Sequence, residues 1–173
     1  MGREQAGRTA ELMGVFQSES GGSRMSKSLA VLALAAVVAA NASAADNLRL
    51  NQRLDYSSDS ADGPLITGEH FGAGAQARRP NYIIIYGEGC FNSKRQAKRT
   101  VDLYEKYKGR VTFVIIDLNI RRSAAQQDLL KKYYQGSIPH VVLLDKFGNA
   151  IYNSAGEVGT DKISALLDEA LQK

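Results

Sequence analysis

The chain has 173 residues, is 44% hydrophobic and 23% charged, and carries a formal charge of +4, the balance of a soluble globular domain with extensions. The basic groups Lys94-Arg95 with Lys98-Arg99, and Arg121-Arg122, have no interleaved aromatics, which excludes a nucleic-acid patch and reads as solvated helix face. Two histidines and one cysteine do not make a metal site, and no phosphate loop, paired-carboxylate motif or nucleophile elbow is present.

Taken in order, Met25 to Ala44 reads as a secretory leader. Lys27 supplies the positive start, Leu29 to Ala40 is apolar and uncharged, and Ala42-Ser43-Ala44 is a small-residue cleavage pattern. The apolar run is shorter than the roughly 20 residues that a membrane span needs. Cleavage after Ala44 implies a periplasmic or secreted product with no stable membrane anchor, and residues 1–24 then read as a spurious upstream extension.

Residues 45–63 are polar, end in a Ser/Asp/Gly cluster and read as a linker, with Leu48, Leu50 and Leu54 as weak anchors. Residues 64–173 read as one α/β domain. Pro64–Thr67 suggests a short edge strand and Glu69–Arg79 a poor helix weakened by Gly72 and Gly74. Tyr82–Tyr86 is a continuous apolar strand, and the segment from Cys90 to Lys108 has a helical apolar stripe closed by Gly109. Val111–Asp117 is a second buried strand, whose place after a helix implies a parallel crossover. Ser123 and Gln126 form a capping box that opens a helix carrying Leu129, Leu130, Tyr133 and Tyr134. Val141–Leu144 and Ala150–Asn153 flank the turn Lys146–Asn149 as a hairpin, and Asp161–Leu171 is a last amphipathic helix.

Cys90, the single cysteine, falls at the junction of the first buried strand and the helix after it. Free backbone N–H groups and the helix dipole favour negative charge there, and the thiolate is the nucleophilic form. Ser93 lies one turn on, placed to donate its hydroxyl to the Cys90 sulfur. The competing reading is a small buried hydrophobe with no chemistry.

With these elements in hand, residues 64–173 resemble the thioredoxin superfamily. The element order matches, Cys90 stands where that family places its active cysteine, and Ile138-Pro139 stands where it keeps a cis proline facing that cysteine. The resemblance implies a thioredoxin-like fold, a central mixed β-sheet flanked by helices. It implies a site of Cys90, Ser93 and Pro139, with Phe91, Asn92 and Ile138 contacting clients. The departures are equally specific. The motif reads Cys90-Phe91-Asn92-Ser93, with serine in place of the resolving cysteine, and Ile84 and Ile115 occupy the positions of the family's buried Asp and Lys. A site with no resolving thiol has no use for that pair, and apolar replacement of a buried ion pair need cost no stability.

A lone thiol can form a mixed disulfide but needs an outside thiol to release it. The resemblance therefore implies a thiol-disulfide oxidoreductase or isomerase without a resolving cysteine. Its partners are thiol- or disulfide-bearing proteins, with glutathione or another small thiol as the releasing agent, and no cofactor is expected. Iron–sulfur ligation, as in monothiol glutaredoxins with Cys-Gly-Phe-Ser, is disfavoured by the different middle pair and by export. The rival from another class is a non-catalytic binding module with an inert cysteine. The leader pattern predicts an exported protein that begins at Ala45. Intact mass of the product from its native host checks this, and a retained full-length chain would remove the argument from an oxidising compartment.

Overall fold

The computed structural model describes residues 43–61 and 63–173. The expectations for residues 1–24, and for the leader up to Ala42, lie outside the described residues. The element order is β1 (Asp46–Leu50), β2 (Ile66–Glu69), β3 (Asn81–Tyr86), α1 (Phe91–Tyr107), β4 (Thr112–Asp117), α2 (Ala124–Tyr133), β5 (His140–Leu144), β6 (Ala150–Ala155) and α3 (Thr160–Gln172).

The main sheet has the order β4-β3-β5-β6, with β3 parallel to β4 and antiparallel to β5. Strands β3, β4 and β5 are buried along their whole length, so their sequences run apolar without a polar alternation. The period of two still divides them between two cores. Tyr82, Ile84, Tyr86, Phe113, Ile115, Val141 and Leu143 pack against Ala97, Leu103, Tyr104 and Tyr107 of α1 and Ile163 and Leu167 of α3. Ile83, Ile85, Val114, Ile116, Val142 and Leu144 face Tyr133, Leu129 and Leu130 of α2. Ile84 and Ile115 are register partners in the first core, an apolar contact at the positions where the resemblance implied a lost charge pair. The mixed sheet flanked by helices is the expected fold class.

Two local expectations are corrected. The segment read as a polar linker contributes β1, which pairs antiparallel with β2 as a separate hairpin. Ala45 and Leu48 are 5% and 2% exposed and belong to the core of α1 and α3; the apolar residues at 48 and 50, two apart, fit a strand better than a weakly anchored coil. The helix expected over Glu69–Arg79 does not form. Glu69 ends β2, and the left-handed φ values of His70 (55°) and Arg78 (66°) interrupt any helical run.

The coil that replaces it meets the outer edge of β4. Gln126 Nε2 donates to Phe71 O (2.5 Å) and to Ile115 O (2.9 Å), while Ser123 Oγ donates to Gly72 O (2.8 Å). The capping box is present as expected, with Gln126 N donating to Ser123 Oγ and Ser123 N to Gln126 Oε1. One glutamine thus serves the helix start, the coil and the strand edge. Gln126→Ala should lower stability by about 1–3 kcal/mol, because it strands buried backbone acceptors; urea unfolding of the two proteins measures the difference.

Candidate thiol site at the start of the first helix

Strand β3 ends at Tyr86, and the chain must turn within four residues to enter α1. Gly89 takes a left-handed φ of +69°, which glycine adopts without strain. Gly87 permits a close approach: a Cβ there would lie 2.8 Å from Ile138 Cδ1. The turn is also tied to β4. Asp117 Oδ1 accepts from Asn119 N (2.8 Å), and Asn119 Oδ1 accepts from Glu88 N (2.9 Å).

Cys90 is the N-cap residue of α1, with extended backbone and no side-chain capping bond. It is half-buried, and with Asp59, Gly89, Phe91 and Asn92 it lines an open cleft of about 460 Å³. The Ile138–Pro139 bond is cis. Because Ile85 pairs with His140 across β3 and β5, continuing the register sets Pro139 level with Tyr86 and Ile138 level with Gly87. Ile138 is therefore brought to the turn that carries the thiol, and Pro139 O accepts from Gly156 N (2.7 Å).

Ser93 is completely buried, and its hydroxyl makes no hydrogen bond. The expected donation to the Cys90 sulfur is absent, a correction to the sequence reading. Phe91 and Asn92 form the rim and are held by Arg95, whose guanidinium lies 4.9 Å from the Phe91 ring centroid and donates to Asn92 Oδ1 (3.1 Å). Glu157, beyond β6, pairs with both Arg95 and Arg99, the latter at 2.8 Å. His140 does not turn to the thiol: its Nε2 lies 2.6 Å from Asn153 Oδ1 on β6, and its ring meets Tyr134 edge-on.

Two contributors were not foreseen. Lys94, read as part of a solvated basic face, is fully buried. Its ammonium donates to Asp55 O and to Ser60 Oγ (2.8 Å), fastening the β1–β2 loop to the first turn of α1. Asp59 of that loop accepts the Phe91 N–H at 2.6 Å, capping the helix from a distant part of the chain. The loop is itself organised by Asp55, whose carboxyl is lowered to about 2, chiefly by the hydroxyls of Ser57 and Ser58. The Asp and Ser cluster of this loop lies some thirty residues before the helix it caps, and in the sequence it reads as linker composition.

The strand order, the register and the cis Ile138–Pro139 bond define a thioredoxin-like α/β fold, with the thiol of Cys90 in a cleft at the start of α1. No family model matches the chain. A thiol:disulfide interchange protein TxlA homolog from Synechocystis sp. is 33% identical over 79 residues, which cover 46% of this chain and 42% of that one. The chloroplastic thioredoxin-like protein HCF164 of rice is 28% identical over 107 residues, 62% of this chain and 40% of that one. The chain thus spans about two fifths of the length of these curated relatives. Among solved structures, thioredoxin-2 of the malaria parasite is similar at 17% identity and a TM-score of 0.46, covering 57% of this chain and 88% of that one. The Drosophila germline thioredoxin Deadhead gives 18% and 0.42, over 53% and 81%.

Burial pushes the Asp117 carboxyl above its ordinary value, against the Asn119 N–H, which favours the anion. A carboxyl raised on folding stabilises the folded state below its unfolded value near 3.8 and loses that contribution as pH rises through the folded value. Asp117→Asn removes the titration and keeps an oxygen for the Asn119 N–H. Its stability relative to the parent should rise as pH is raised from about 4 towards neutrality, read from urea midpoints across that range.

Proposed function

We propose that this protein exchanges thiols with disulfide- or thiol-bearing proteins through Cys90, as an exported monothiol member of the thioredoxin-like superfamily. The observation that carries the reading is a half-buried thiol in an open cleft at a helix start, beside the turn that meets Ile138. A cysteine kept only as core filling would be closed off from solvent. The name of the cyanobacterial relative, a thiol:disulfide interchange protein, supports the same class of chemistry.

In the reaction, the Cys90 thiolate attacks one sulfur of a client disulfide. A bond forms from Cys90 Sγ to that sulfur, the client S–S bond breaks, and the other client sulfur leaves as thiolate. Phe91, Asn92 and Ile138 supply the rim on which an extended client segment lies. With serine in the resolving position, release falls to a client thiol or to a small thiol such as glutathione. The sequence pattern of residues 25–44, read as a cleaved leader, supports an oxidising compartment for this exchange, where an odd cysteine is either paired with another molecule or a reactive free thiol.

A model peptide carrying a disulfide should add to the native protein as a mixed disulfide visible by intact mass. Cys90→Ser should give no adduct while leaving the unfolding midpoint within about 0.5 kcal/mol of the parent. Ser93→Cys should close an internal disulfide, because residues three apart on a helix stand within the 4.4–6.8 Å Cα range of a disulfide. That variant should gain turnover with a dithiol reductant. A parent that adds peptide only when unfolded would establish the binding-module reading instead.

A further inference from the structure

We propose that Asp59 is the specificity residue of the thiol cleft, setting it against anionic disulfides and in favour of cationic or neutral ones. The inference rests on the thiol-exchange reading given above. Asp59 is one of five described residues lining the cleft, and it comes from the β1–β2 loop, outside the Cys90–Ser93 motif.

Its carboxylate is not a swinging surface group. Oδ1 is fixed on the Phe91 N–H at 2.6 Å, adjacent in sequence to the thiol. The Asp59 backbone oxygen lies 3.5 Å from where a Cβ on Gly89 would stand, so the loop is seated directly on the turn before Cys90. The buried Lys94 ammonium holds Asp55 O and Ser60 Oγ on either side of Asp59.

Among the described residues, the nearest cations are each held by other partners. Lys94 is turned inward and engaged with the loop. Arg95, on the Phe91–Asn92 rim, is salt-bridged to Glu157, which also takes Arg99. A disulfide entering the cleft therefore meets a fixed negative charge at the wall. The capping bond also removes the Phe91 N–H from the set that would serve an incoming anion, leaving the N–H groups of Asn92 and Ser93.

The test compares two symmetric disulfides, cystamine with two ammonium groups and dithiodiglycolate with two carboxylates. In each, Cys90 thiolate attack forms one new S–S bond and expels one thiolate, so no further reactant is needed. The rate ratio of cystamine to dithiodiglycolate, divided by the same ratio for the urea-unfolded chain, isolates the contribution of the folded cleft. For the parent this quotient should exceed one, and it should fall as ionic strength is raised to about 0.5 M. Asp59→Asn, which keeps an oxygen for the Phe91 N–H, should lower it roughly threefold to tenfold.

An unchanged quotient in a folded Asp59→Asn variant, with neutral iodoacetamide labelling Cys90 at the parent's rate, overturns the proposal and leaves thiol exchange standing. Should that variant not fold, the salt series on the parent decides alone: a quotient insensitive to salt overturns the proposal. Failure of iodoacetamide to label the native parent removes the thiol-exchange reading itself.

Discussion

A buried ammonium governs the shape of this site. Lys94 lies in the first turn of α1 with no exposed surface, and a charge taken out of water is tolerated only when polar groups replace the solvent. The β1–β2 loop supplies them, through Asp55 O and Ser60 Oγ. Once the loop is fastened there, Asp59 falls on the first free N–H of the helix and becomes a wall of the thiol cleft. The hairpin, the helix start and the cleft are consequently one arrangement.

The sheet supplies the rigid frame for this arrangement. β3 has neighbours on both sides and apolar cover on both faces, so its end at Tyr86 is a fixed point. From that point short links run to the thiol turn: Ile138 against Gly87 on one side, and the Asp117–Asn119–Glu88 chain of hydrogen bonds on the other. Reactive groups set on such a frame keep their geometry without depending on loop order.

The parts of the molecule that were legible in the sequence are those with a local cause. Apolar runs gave β3, β4 and β5, the Ser123–Gln126 spacing gave the start of α2, and Ile138-Pro139 marked the cis bond. Cys90 at a strand-to-helix junction was legible for the same reason. The parts that were not legible depend on partners far apart in the chain. Lys94 meets Asp55 and Ser60, 39 and 34 residues away, and Phe91 meets Asp59, 32 residues away. Nothing around Lys94 distinguishes it from Arg95 or Lys98, which do reach the surface. Composition likewise misled at 45–61, where polar residues that look like linker are internally hydrogen-bonded and tied to α1.

The outer margin of β4 carries one more consequence. A strand with one bare side is a template on which another chain can pair, and proteins with such margins are prone to stick edge to edge. Here the backbone at Ile115 is met by the Gln126 amide, which also grips the coil at Phe71. A single side chain thus does the work of a neighbouring strand at that point. Loss of that amide would leave a template for self-association as well as a weakened helix start, so colloidal behaviour and local folding in this protein are coupled through one residue.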